Sequence, residues 1–176
     1  MTINCKATSG IKDWLIDSFA FPYKTGHGKV HGGFQKEIEY WWKDMKKDIL
    51  EIIKTNGIDI SKGFLISGRS KGAGEATLLI PYLSEIASVH ICGAIEPPKV
   101  CDDKYAEYLS SFGTRIIETS YKNDIVTGIP CWFKHPGSLF QNGKRRLGLS
   151  VQDHIKSTTE EELWYDYINQ FKGEKR

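Results

Sequence analysis

The stretch FLISGRSKGAGEATLL, residues 64–79, passes from an apolar, β-prone run through a glycine-rich turn into helix formers. A short apolar run closed by Gly63 and Gly68 suits a buried strand better than a helix. The turn holds Gly68-Arg69-Ser70-Lys71-Gly72, a GxSxG pattern that a chain of this composition carries by chance roughly once in eight, so the flanks must carry the inference. With a strand before it and a helix after it, the pattern is that of a serine on a sharp strand-to-helix turn, its Oγ exposed at the carboxyl edge of the sheet. Small residues at 68, 72, 73 and 74 suit such a turn, where side chains would strike the neighbouring strand and helix. A phosphate-binding loop needs GxxxxGK[ST] or GxGxxG, and neither spacing is present.

Working outward, Gly33 to about Asn56 reads as a long amphipathic helix with Phe34, Ile38, Trp41, Met45, Ile49, Ile52 and Ile53 on its core face and Asn56-Gly57 as its stop. After the serine, helix formers run from Lys71 to Ala87, with Pro81 expected to kink or split them. Val89–Ile95 is a second strand, ended by Glu96-Pro97-Pro98. Tyr105 to Phe112 is a helix stopped at Gly113, and Thr114 to Tyr121 is a third strand. Thr158 or Thr159 can cap a last helix with Glu161 or Glu162 in capping-box spacing, its inner face Leu163, Trp164, Tyr167, Ile168 and Phe171. Strands alternating with helices predict an α/β fold with a mostly parallel sheet covered by helices on both faces, one compact domain over residues 1–176.

Composition bounds the partners. Lys plus Arg (24) nearly balance Asp plus Glu (22), for a net charge of +2, so no field points to nucleic acid. The basic run Lys144-Arg145-Arg146 reads as a solvated loop. Four cysteines, Cys5, Cys92, Cys101 and Cys131, show no CxxC pair and no zinc-finger histidine spacing, so neither a metal nor another cofactor is expected. Cys92 and Cys131 sit in apolar runs and are expected to be buried. Without a signal-peptide pattern or an 18-residue apolar run, the expected location is cytoplasmic.

A serine hydroxyl becomes a nucleophile only when a base takes its proton and an acid orients that base. In hydrolase folds the acid and then the histidine follow the serine in the chain. Of the five histidines, His27 and His31 precede Ser70 and His90 lies within a strand, which leaves His135 and His154. His154 lies in a polar loop free to reach the sheet edge, whereas His135 adjoins Pro136-Gly137 at a strand end; both stay open on spacing. Asp124, just after the third strand, is the favoured acid, with Asp102 and Asp103 as second choices.

Several segments in order resemble the lipase class 3 family, the fungal-type triacylglycerol lipases, over nearly the whole chain. CKATSGIKDWLIDSF (5–19) resembles the family's oxyanion strand and Trp-bearing lid segment, and KVHGGF (29–34) its VHxGF signature. GRSKGAGEA (68–76) stands where the family has GHSLGGALA, NDIVTGIP (123–130) resembles NDxVPxLP, and QDHI (152–155) resembles its terminal DH. The resemblance implies an α/β-hydrolase fold with Ser70 as nucleophile, Asp124 as acid and His154, rather than His135, as base. It also implies an oxyanion hole made by Thr8 and the backbone N–H of Lys71, with Trp14 and Arg69 facing substrate. His31 is expected to be structural.

The implied activity is serine carboxylic ester hydrolysis on an ester or lipid small molecule, with transient contact at a lipid interface; the sequence leaves the oligomeric state open. Rival expectations are a phospholipase, thioesterase or acyltransferase on the same residues, or a hydrolase-fold binding module that has lost catalysis. Arg69 and Lys71 replace the family's His and Leu beside the serine, and Lys6 and Ala7 replace its Arg and Gly before the oxyanion threonine. Two cations flanking the nucleophile would favour acidic substrates such as phospholipids. The segment 9–19 carries Ile11, Trp14, Leu15 and Phe19 on one helical face, which is read as core packing or as a lid.

Overall fold

The computed structural model describes residues 1–6, 21–121, 123–142, 150 and 154. Thr8, Trp14, the lid-like segment 9–19 and the expected helix around 158–171 lie outside the described residues.

Seven strands, four α-helices and one 3-10 turn (Ile60–Lys62) are described: β1 Thr2–Cys5, β2 Pro22–Thr25, β3 Gly28–His31, α1 Gly32–Thr55, β4 Phe64–Arg69, α2 Lys71–Ser84, β5 Val89–Ile95, α3 Asp103–Ser110, β6 Arg115–Tyr121, the single turn α4 Ile125–Gly128, and β7 Ser138–Asn142. Five strands form one sheet in the order β1-β4-β5-β6-β7. Every pairing in it is parallel, as the alternation of strand and helix predicted. Parallel strands all end at the same edge, so the residues that follow β4, β5 and β6 meet there. Among the described residues no helix is long and apolar enough to cross a membrane.

The helix α2 lies deepest. Nine of its residues are buried, among them Leu78, Leu79, Ile80 and Leu83, and it touches β1, β4 and β5 on one side and α1 on the other. Its continuity through Pro81 corrects the expected break. Four buried aliphatic side chains contribute about 1.5–3 kcal/mol each, well above the ~3 kcal/mol that an internal proline costs, and Pro81 sits in the last turn where one ladder bond is lost.

In α1 the apolar face is narrower than its pattern. Phe34, Ile38 and Ile49 are buried, while Trp41 and Ile52 remain 52% and 45% exposed. The helix starts at His31, whose Nδ1 accepts the Phe34 N–H at 3.5 Å and whose ring stacks on Phe34 at 3.9 Å. His31 is therefore a capping residue, the structural duty expected of it. The hairpin β2–β3 and the edge strand β7 were not anticipated. Cys92 is buried, with burial first among the causes that push its thiol up to about 12. Cys131 is exposed in the turn after α4, against expectation, because its apolar neighbours form no strand.

Candidate active site

Ser70 follows the last residue of β4 and caps α2 at φ 54°, ψ −122°. A left-handed φ is costly for any residue with a Cβ, and it survives only where the surroundings over-determine it. Here Ser70 N–H donates to Ile95 O at 2.8 Å, and Ser70 O accepts from Ala73 and Gly74 N–H at 3.0 and 3.2 Å. The neighbouring glycines permit the turn: a Cβ on Gly68 would strike the Gly72 carbonyl, and one on Gly72 would strike the Cys5 carbonyl at the end of β1. Serine is a favoured N-cap, yet this one makes no capping bond to α2. Its hydroxyl is turned elsewhere.

It is turned to His154. Ser70 Oγ lies 3.0 Å from His154 Nε2, and His154 Nδ1 lies 2.8 Å from Asp124 Oδ2. Ser70, His154 and Asp124 are 8%, 2% and 2% exposed, so water competes little with either bond. Asp124 is fixed in turn, its Oδ1 accepting the Val126 N–H at 2.8 Å and its Oδ2 the Thr127 hydroxyl at 3.0 Å. With a carboxylate on Nδ1, the proton sits there and Nε2 keeps its lone pair for Oγ.

The other candidates are engaged elsewhere. His135 bridges Glu118 Oε1 (3.3 Å) and the Thr127 carbonyl (2.9 Å), which ties α4 to β6. Asp102 caps α3 by accepting the Tyr105 N–H at 2.9 Å, and Asp103 pairs with Lys134 on the surface. Thr8 and Trp14 cannot be placed, being outside the described residues. Lys71 is the first residue of α2, where a backbone N–H has no partner within the helix and points at the helix's positive end.

Both cations beside the serine are matched. Lys71 Nζ meets Glu37 at 2.5 Å and Glu75 at 3.2 Å. Burial works against its charge, but the two carboxylates outweigh that and hold it above the ordinary lysine value. Glu75 is pushed up to about 7, chiefly by burial, with Lys71 opposing and Glu37 adding. Arg69 Nε donates to Glu96 Oε2 at 3.1 Å, Nη2 forms an ion pair with the same oxygen at 3.1 Å, and Nη2 donates to the His154 carbonyl at 3.2 Å. The two cations that led the sequence reading to expect an acidic substrate are thus each paired with carboxylates of the chain itself.

Glu96 is the residue that sequence reading missed. Fully buried at the end of β5, it brings Oε2 to 3.7 Å from His154 Nδ1. Glu96, Asp124 and His154 place their ligating atoms within 4.8 Å of one another, the spacing of a cation site. Arg69 already supplies the positive charge there. The signal that could have exposed Glu96 was its position, one residue past a buried strand and before two prolines, on the edge that carries Ser70 and Asp124.

The family model described as Lipase (class 3) matches residues 2–134. In structure the chain is similar to the lipase of Rhizopus microsporus var. chinensis, at 19% identity over 90% of this chain and 61% of that one, TM-score 0.68. It is also similar to the triacylglyceride lipase of Rhizomucor miehei (20%, 87% of this chain and 64% of that one, TM-score 0.66) and to lipase II of Rhizopus niveus (21%, 87% and 63%, TM-score 0.62). The chain thus spans less than two thirds of the length of these lipases, and at such identities the likeness is one of fold. No curated protein matches the chain in sequence.

Proposed function

Because this chain belongs to the class 3 lipase family, we propose that it is a serine carboxylic ester hydrolase working through Ser70, His154 and Asp124. One observation carries the reading: the unbroken line Asp124 Oδ2, His154 Nδ1 and Nε2, Ser70 Oγ, at 2.8 and 3.0 Å, beyond a strained turn. In the reaction, His154 Nε2 takes the Oγ proton as Oγ bonds to the ester carbonyl carbon. The resulting oxyanion is held by the Lys71 N–H and, on the family resemblance, by Thr8; each such donor is worth roughly 2.7–4 kcal/mol of barrier. The intermediate collapses, His154 hands its proton to the departing alcohol, and the acyl group stays on Oγ. Water, deprotonated by the same imidazole, then releases the carboxylic acid. Asp124 remains ionised throughout and stabilises the imidazolium.

A fluorophosphonate probe and a panel of p-nitrophenyl esters of increasing acyl length test the reading. Wild type is expected to take up one probe per chain at Ser70, and Ser70→Ala and His154→Ala to lose labelling and to lower turnover by about 10⁴-fold or more. A folded wild type that neither labels nor hydrolyses any ester would sink the enzyme and favour a binding module.

A further inference from the structure

Two non-glycine residues have a left-handed φ among the described residues, Ser70 at 54° and Glu96 at 51°. They end adjacent strands and are coupled directly, since Ser70 N–H donates to the carbonyl of Ile95, the residue before Glu96. Glu96 N–H is committed to Thr119 O at 2.6 Å, which locks the strained turn against β6. Strain of this kind persists where surrounding contacts hold a side chain in a required place, and here the required place is beside the imidazole.

The side-chain geometry says what for. Arg69 brings both Nε and Nη2 to 3.1 Å from Oε2, the first as a hydrogen-bond donor and the second as an ion pair, and Oε1 has no hydrogen-bond partner among the described residues. A carboxylate meant only to anchor an arginine would take its fork with both oxygens. Instead Oε2 is shared between the guanidinium and the His154 Nδ1 edge, at 3.1 and 3.7 Å. The same arginine grips the His154 carbonyl. The charged and titratable groups facing Glu96 are thus Arg69 from β4, Asp124 after β6, and His154.

We propose that Glu96 is a second carboxylate for the histidine that Asp124 orients, a positioning residue pinned by Arg69 one step beyond hydrogen-bond reach of Nδ1. When Ser70 loses its proton, the imidazolium lies between two carboxylates rather than one. Asp124, at 2.8 Å, is the principal acceptor; Glu96 steadies the same edge and takes over the Nδ1 proton if Asp124 is removed. The balance is supported by its environment: burial pushes the Glu96 carboxyl up, His154 and Arg69 pull it down and Asp124 pushes it up again, to about 7.

The inference rests on His154 being the base of the proposed reaction, and the test reads two quantities, one of which needs no turnover. Glu96→Gln, which keeps an oxygen for Arg69, is compared with Asp124→Ala and with the double variant. Alanine is chosen at 124 because an asparagine amide would donate to Nδ1 and enforce the wrong tautomer. Expected for Glu96→Gln is a three- to tenfold loss of kcat/KM on a short p-nitrophenyl ester, with the acid limb of its pH profile displaced to lower pH by about half a unit, since the imidazolium loses an anionic neighbour. Asp124→Ala is expected to keep about tenfold more activity than the double variant. In proton NMR, the low-field Nδ1–H resonance of His154 persists in Asp124→Ala and disappears in the double variant.

An unmoved acid limb in Glu96→Gln, or Asp124→Ala and the double variant alike in both readouts, overturns the inference. If wild type hydrolyses no ester, the enzyme reading fails while the NMR comparison still decides whether Glu96 serves the imidazole.

Discussion

Arg69 and Lys71 stand on either side of Ser70 and look equivalent in the sequence, yet they serve opposite sides of the molecule. Arg69 turns into the cluster, joining Glu96 to the His154 carbonyl from a largely buried position. Lys71 turns away from it and pins α2 to α1 through Glu37, while Glu75, one turn further along α2, shares its ammonium. Each cation faces a carboxyl pushed up to about 7, half-buried Glu75 or buried Glu96, but only the one beside Arg69 lies against the imidazole. A charge in a motif thus says little about the field at a site until its partners are known.

The largest expected difference comes from deleting the cations. Arg69→Met strands Glu96 at zero exposure and frees the His154 carbonyl. It is expected to lower kcat/KM by about 30- to 100-fold and stability by about 2–4 kcal/mol, with much of the stability regained in Arg69→Met/Glu96→Gln. Steady-state kinetics with urea melts would measure both; equal effects from Arg69→Met and Lys71→Met would break the contrast.

Smaller, and carried by pH, is the effect of the two carboxyls. Glu75 and Glu96 have folded values raised from 4.5 to about 7, so the folded chain holds protons that the unfolded chain releases. The sign follows: that stability is full below about pH 4.5 and is lost as pH rises through about 7. Glu75→Gln should lessen the drop in Tm between about pH 5 and about pH 8 without moving the pH profile of kcat/KM, whereas Glu96→Gln should change both. A Tm drop as steep as in wild type would contradict the role given to Glu75.

Smallest is Lys71→Met, expected to alter kcat/KM by less than about threefold and to leave the preference between neutral esters and anionic phospholipids unchanged, because Glu37 and Glu75 already screen the ammonium. A change in that preference would restore Lys71 as a substrate contact.

What was legible in the sequence followed from strong local chemistry. Val89–Ile95 is an unbroken β-prone run and forms a strand over those same residues. The turn at Ser70 was readable because glycines mark where a Cβ has no room. The hairpin Pro22–His31 escaped because it is short and polar, held by tertiary contacts such as His31 N–H to Val100 O at 2.8 Å. Trp41 and Ile52 fit the period of α1 but stay about half exposed, since an amphipathic stripe does not reveal how much of it a partner covers. Glu96 escaped for a deeper reason: its partners lie 27, 28 and 58 residues away in the chain, and a lone glutamate before prolines carries no period.

The two left-handed turns at Ser70 and Glu96 have a consequence for the history such a chain can have. Glycine would sit at either position without backbone strain, and at Glu96 it would also spare the burial of a carboxyl. Selection for thermal endurance alone would therefore erode this corner first, one unstrained replacement at a time. A serine and a glutamate at these two positions answer to a demand the fold does not make for itself.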